Sequence, residues 1–313
     1  MKNSPPARSG SYLSSLLLKL HRLKTHRSIL KTGLVSRGRS FEGIRFHYYT
    51  TNNGKPPLVL LHGFLDDART FRRSFARLSE NFDLYALDIP GFGRSRLPEI
   101  RDLWDTRVFA RFLGRFLVFE LGLREVPALA HSMGAQTAVH MAEFMKRVYG
   151  TRVFSRLHLV APGILKMKAA ERDERRKLLF PRTAEEIRTL LASLYSKELP
   201  EISDFLLQGL LYEWTKPGYH YLAENTIAEE SDVFFSPARL RALRVPLTLY
   251  WGKDDRITPP ALGRAMQRAA GGTRLRLFPN AGHALHHEIA LEFTQAFLEE
   301  CGDERKKRPR SNH

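Results

Sequence analysis

Between residues 44 and 160 short apolar runs alternate with stretches of helical period, and the alternation resumes from 247 to 300. An apolar run of about four to eight residues needs cover on both faces, which a parallel sheet flanked by helices supplies. Pro57–Leu61 is such a run, and 84–87, 126–130, 157–160, 247–251 and 275–278 read as further strands. Ile44–Thr50 alternates apolar with polar instead, as an edge strand does. Helical patterns lie between them: one with Phe71, Phe75 and Leu78 on a single face, one around 103–121 and one over 133–148. Strand and helix in turn predict an α/β fold, a mostly parallel central sheet with helices on both faces.

The alternation stops from about 164 to 236. Thr183 and Glu186 make a capping box ahead of Ile187, Leu190, Leu191 and Leu194, and Pro200 precedes Phe205, Leu206, Leu210 and Leu211 at helical spacing. A helical insertion between two strands of such a sheet reads as a lid. A chain of 313 residues is long enough for one core domain carrying it. The expected organisation is a basic N-terminal arm over 1–40, a core over 41–163 and 237–301, a lid over 164–236, and a disordered basic tail over 302–313.

The segment Ala130-His131-Ser132-Met133-Gly134 joins an expected strand to an expected helix. A sharp turn there pushes the Ser132 hydroxyl into the open, and small residues on either side let strand and helix approach. The helix start faces the serine, so the Met133 amide can hold a developing oxyanion. In His62-Gly63-Phe64, Gly63 permits a second sharp turn and the Phe64 amide becomes the other donor. His62 and His131 read as organisers of their loops. Asp88, in the tight loop to Ser95, reads as structural. Asp254 and Asp255 follow the strand 247–251, and a carboxylate there can hold a histidine in the right tautomer. His283 follows the strand 275–278, while His286 and His287 fall where the last helix begins. A serine with a histidine base and an orienting acid performs acyl transfer and needs no metal or organic cofactor.

These segments (strand-HGF, DxPGxGxS, AHSMG, WGxxDxxxP and GHxxxxE, in that order over about 41–300) resemble the α/β-hydrolase family. The resemblance implies the α/β-hydrolase fold and a triad in the chain order Ser, Asp, His. Its spacing falls on Gly252, Asp255 and Pro259, selecting Asp255 over Asp254, and on Gly282, His283 and Glu288, selecting His283. Ala130 departs from the usual first glycine of the serine motif. A serine at 132 disfavours the related dehalogenases and epoxide hydrolases, which use aspartate there. The lid stretches FPRTAEEIRTLLASLY and LLQGLLYEW are loosely similar to the monoacylglycerol-lipase branch, which implies a lipid-ester substrate. A small-ester esterase, a carbon–carbon bond hydrolase and a non-turnover ligand receptor remain open, since a fold does not fix its substrate.

Charge bears on partners. Lys and Arg outnumber Asp and Glu by 50 to 33, and residues 1–45 hold ten of the cations against one acid, Glu42. Leu13, Leu16, Leu17, Leu20 and Leu23 recur at helical spacing among Lys19, Arg22, Lys24 and Arg27. Two readings stand. The helix packs on the core through these leucines, or residues 1–35 lie on an anionic membrane surface. Nucleic acid is a weaker partner for the basic termini. No apolar run approaches the ~20 residues of a membrane span, and Lys19 interrupts the earliest one. Cys301 is the single cysteine, which excludes an intramolecular disulfide and fits a reducing compartment. The expectation is a cytoplasmic protein able to associate peripherally with a membrane.

Overall fold

The computed structural model describes residues 8–97, 105–165, 169–214 and 235–307. Its strands are β1 (Val35–Phe41), β2 (Ile44–Thr50), β3 (Pro57–Leu61), β4 (Asp83–Asp88), β5 (Val126–His131), β6 (Phe154–Val160), β7 (Leu247–Gly252) and β8 (Arg274–Phe278). They form one sheet in the order β1-β2-β4-β3-β5-β6-β7-β8. β1 and β2 pair antiparallel, as do β2 and β4, and every later pairing is parallel. This is the expected α/β-hydrolase fold.

Two expectations about the start of the core need correction. Ile44–Thr50 is not an edge strand, because β1 pairs along its full length and buries most of it. Residues 35–41 therefore belong to the sheet and not to the arm. Glu42 (φ 50°) and Gly43 (φ 76°) make the tight hairpin turn between the two strands. β1 reads Val-Ser-Arg-Gly-Arg-Ser-Phe, too polar for an apolar-run search, and it is the true edge.

The chain leaves β3 toward β4 on one side and later returns to β5 on the other. Right-handed crossovers in opposite directions put their helices on opposite faces. α2 (Phe75–Ser79) serves the first; α3 (Thr106–Arg115), which continues as a wide turn over Phe116–Glu120, serves the second. α3 packs on α4 (Met133–Tyr149), which covers β3, β5 and β6. The core between these layers is aromatic: Phe46 stacks on Phe116 with centroids 4.1 Å apart. The reversal at β3 and β5 opens a crevice at their carboxyl ends, where open α/β sheets bind ligands.

The insertion contains α5 (Ala169–Leu179), α6 (Ala184–Leu194) and α7 (Asp204–Trp214). The expected capping box starts α6: the Glu186 amide donates to Thr183 Oγ1 at 3.1 Å. Of the expected lid, 166–168 and 215–234 lie outside the described residues. α8 (Pro237–Ala242) and α9 (Pro260–Ala269) flank β7, and α10 (Leu285–Glu288) and α11 (Ala290–Lys307) close the chain. The tail expected to be disordered from 302 is helical through Lys307, and 308–313 lie outside the described residues.

The N-terminal helix, α1 (Arg8–Lys31), packs against α7 and near the Ala68–Arg73 turn. It does so through a face other than the expected one. Ser14, Ser15 and Ile29 are buried and Leu18 is half-buried. Gly209 lets α7 come close, since a Cβ there would sit 2.2 Å from Ser14 Oγ. Tyr12, Leu13, Leu16, Leu17, Leu20 and Leu23 instead face outward, each 41–59 % exposed. The leucine stripe is thus not what holds the helix on the protein. Among the described residues, no helix is long and apolar enough to cross a membrane.

Candidate active site

Ser132 stands between β5 and α4 with φ 50° and ψ −115°, a strained conformation for a residue with a side chain. The strain persists because the loop after β3 fills the space beneath the turn. A Cβ on Gly134 would lie 2.3 Å from the His62 carbonyl oxygen, and one on Gly63 would lie 3.3 Å from Ser132 Cβ. Only glycine lets these two loops touch. Phe64 follows directly, so its amide is set beside the serine turn, and among the described residues that amide donates no hydrogen bond. Met133 opens α4, where helix geometry leaves the amide without an intrahelical acceptor.

Two late loops complete the arrangement. His283 Nε2 lies 3.0 Å from Ser132 Oγ, and its Nδ1 lies 2.9 Å from Asp255 Oδ2. Asp255 is buried and fully engaged. The amides of Ile257 and Thr258 each donate to its Oδ1 at 2.8 Å, and the Thr258 hydroxyl donates to Oδ2 at 2.8 Å. Gly252 lets the Asp255 and His283 loops meet, since a Cβ there would lie 2.1 Å from the Ala281 carbonyl oxygen. Asp254 is exposed.

The other polar residues hold the frame. Asp88 accepts from His47 Nδ1 at 2.7 Å and from the amides of Ala68 and Arg94 at 2.8 Å each. His62 Nε2 accepts from the Ile89 amide at 2.9 Å. His131 Nε2 donates to the His283 carbonyl at 3.1 Å, fixing the loop that carries that histidine. Burial first, and then its neighbours His286 and His283, hold the His131 pKa well below the usual histidine value. Burial likewise pushes His286 down to about 3 and His287 down to about 4.

Sequence reasoning missed one contributor, Thr258, and placed another, Glu288, in a motif without giving it a role. Thr258 braces Asp255 and lies 3.1 Å from His283 Nδ1; its place just before Pro259 was the available signal. Glu288 accepts from the amides of Gly282 (2.8 Å), Ser196 (2.9 Å) and Lys197 (3.0 Å) and from the Ser196 hydroxyl (2.9 Å). It thereby ties the His283 loop to the segment that follows α6. Burial would raise its pKa, but these donors outweigh burial and lower it.

Ser132 and His283 open into a cavity of about 340 Å³. Leu179, Leu190, Leu191, Leu194, Leu210 and Trp214 of the insertion form an apolar wall. His21, Arg22 and Thr25 of α1, with Arg69 and Arg72, form a polar one. Among the described residues, no cluster of three or more His, Cys, Asp or Glu is placed to hold a metal ion.

A strained serine between strand and helix, at the reversal of an eight-stranded mostly parallel sheet, defines a hydrolase class. Residues 58–296 match the alpha/beta hydrolase family, and the chain belongs to that family. It is 28 % identical over 266 residues to the pimeloyl-[acyl-carrier protein] methyl ester esterase of Nitrosomonas europaea, covering 80 % of this chain and 97 % of that one. It is 26 % identical over 269 residues to the 2-hydroxy-6-oxo-6-phenylhexa-2,4-dienoate hydrolase of Comamonas testosteroni, covering 81 % and 90 %. Its fold superposes on the crystal structure of a carboxylesterase of Bacillus subtilis with a TM-score of 0.71 at 18 % identity, covering 90 % and 98 %.

Proposed function

We propose that the protein is a serine carboxylester hydrolase acting on lipid esters such as monoacylglycerols. In this reading Ser132 is the nucleophile, His283 the general base and Asp255 the acid that orients it. The Phe64 and Met133 amides are the oxyanion donors. The unbroken chain Asp255–His283–Ser132, with its steps of 2.9 and 3.0 Å, carries the reading. His283 Nε2 takes the Ser132 proton as Oγ attacks the ester carbonyl, and the two amides hold the tetrahedral oxyanion. The imidazolium then protonates the leaving alcohol. In the second half His283 activates water against the acyl-enzyme and returns the proton to Ser132. Asp255 keeps its charge throughout and stabilises the imidazolium.

The leucine wall supports a lipid acyl chain, each buried CH₂ contributing up to about 0.8 kcal/mol. A panel of p-nitrophenyl esters and monoacylglycerols of graded length tests this. The expected result is kcat/KM rising over the first several carbons. A maximum at acetate would favour a small-ester esterase. Turnover of a 2-hydroxy-6-oxo-dienoate alone would favour the carbon–carbon bond hydrolase, and stoichiometric binding without turnover a receptor.

The outward leucine stripe of α1 belongs to the same reading. Helix α1 carries Arg8, Lys19, Arg22, Lys24, Arg27 and Lys31 and no acid, and it borders the cavity that holds Ser132. Apolar surface ringed by cations fits the surface of an anionic bilayer, which would present lipid directly at the cavity.

A further inference from the structure

Arg72 lies on the Ala68–Arg73 turn and lines the cavity that holds Ser132 and His283. The charges around it are otherwise accounted for. Arg69 grips Asp67 through Nε at 2.7 Å and through Nη2. The Asp66 carboxyl accepts from the Asp67 amide at 2.8 Å, and burial first, then the Asp67 charge, push its pKa upward. Arg22 faces Glu213 at 3.6 Å. Arg73 donates to the His287 carbonyl at 3.0 Å. Arg72 alone of these arginines has no ion pair or hydrogen bond among the described residues. Tyr195 and His287 beside it are hydrogen-bonded to each other at 3.3 Å, and the Asp66 carboxyl acts on it through space without forming an ion pair. Burial and then the neighbouring Arg73 depress its pKa, outweighing the attraction of the Asp66 carboxyl, as expected of a cation partly withdrawn from water and not held in an ion pair.

We propose that Arg72 is the recognition site for an anionic oxygen group, carboxylate or phosphate, on the ester substrate. The inference rests on the serine-hydrolase reading and adds to it the charge of the substrate. A planar guanidinium offers paired donors that match either group. An ester seated at Ser132 could place its apolar chain along the leucine wall and its charged end against Arg72. The preferred substrate class is then an anionic amphiphilic ester.

The test compares three octanoyl esters below their critical micelle concentrations, so that attraction to a charged interface plays no part: octanoylglycerol, octanoyl glycerol phosphate and octanoyl glycolate. kcat and KM are measured for the unaltered protein, Arg72→Gln, Arg72→Lys and Arg268→Gln, the last removing an exposed charge elsewhere. The expected result is a tenfold or greater preference in kcat/KM for at least one anionic ester. That preference should collapse in Arg72→Gln mainly through KM, return in part in Arg72→Lys and persist in Arg268→Gln. Which anionic ester is preferred identifies phosphate or carboxylate as the group bound. An equal anionic-to-neutral ratio in the unaltered protein and in Arg72→Gln overturns the inference, since a scaffold role would lower all three substrates together. Activity on p-nitrophenyl butyrate without any anionic preference overturns this inference alone. No turnover of any ester overturns the hydrolase reading and this one with it.

Discussion

At the residue scale, strain and glycine contacts make the serine turn and its partners intolerant of change. Ser132→Ala should lose labelling by a fluorophosphonate probe completely. Asp255→Asn should lower kcat by roughly 10⁴-fold, the loss seen for the matching change in a serine protease. Asp254→Asn should leave kcat within a few-fold, because that side chain is exposed and outside the hydrogen-bond chain. Probe labelling checks the first and steady-state kinetics on a soluble ester the two aspartates, whose reverse order would refute the triad as drawn. Gly134→Ala is the packing counterpart. Its new Cβ would meet the His62 and Leu61 carbonyl oxygens at 2.3 and 2.7 Å, both backbone atoms that no rotamer change can move. The expected cost is about 1–3 kcal/mol of stability, with loss of activity as the loop carrying Phe64 is displaced. A Tm equal to that of the unaltered protein would contradict it.

At the element scale, α1 and the α6–α7 segment decide access to the site. Glu288 joins the His283 loop to residues 196 and 197, so Glu288→Ala leaves three amides and a hydroxyl without their acceptor. The expected outcome is a destabilisation of about 1–3 kcal/mol, lower kcat/KM and faster proteolytic cleavage near 196–203. Unchanged proteolysis would show that the tie does not restrain the segment. For α1, deleting residues 1–35 is a poor probe of membrane binding, because it also removes buried Ser14, Ser15, Ile29 and Leu34. Leu16→Ser with Leu20→Ser changes only the exposed face. This pair should weaken flotation with phosphatidylglycerol vesicles by roughly thirtyfold, each leucine contributing about 1 kcal/mol, while leaving Tm unchanged. Added salt should weaken binding of the unaltered protein as well. Concentration-dependent dimerisation abolished by the same substitutions, without vesicle binding, would mean that a second copy covers the stripe.

At the scale of the whole molecule, buried neutral histidines set the response to acid. Burial pushes His158 and His286 down to about 3 and His131 well below its usual value. The unfolded chain takes up these protons near pH 6.5 and the native state does not. Stability is therefore intact above about pH 6.5 and falls as pH drops toward 3, by up to about 1.4 kcal/mol per pH unit for each such histidine. Glu288, with its lowered pKa, adds stability that is present above its usual carboxylate range and is lost as pH falls further. Tm should drop steadily between about pH 6.5 and 4.5, and His158→Gln should make that slope shallower. A flat profile would refute the argument.

The parallel strands and the chain order of the Ser132, Asp255 and His283 loops were legible in the sequence. Apolar runs and small-residue turns are local demands that neighbouring residues must satisfy wherever the chain goes. β1 escaped because an edge strand has one partner and tolerates Arg37 and Arg39 on its open side, so its membership depends on β2 alone. The packing face of α1 escaped for a similar reason. Periodicity finds an apolar stripe, but Gly209 on α7 decided that serines could approach there and leucines could not. The bracing of Asp255 by Thr258, the tie through Glu288 and the unpaired state of Arg72 also came only with the tertiary structure. Each depends on where groups distant in the chain place their charges and donors, and composition and spacing carry no record of that.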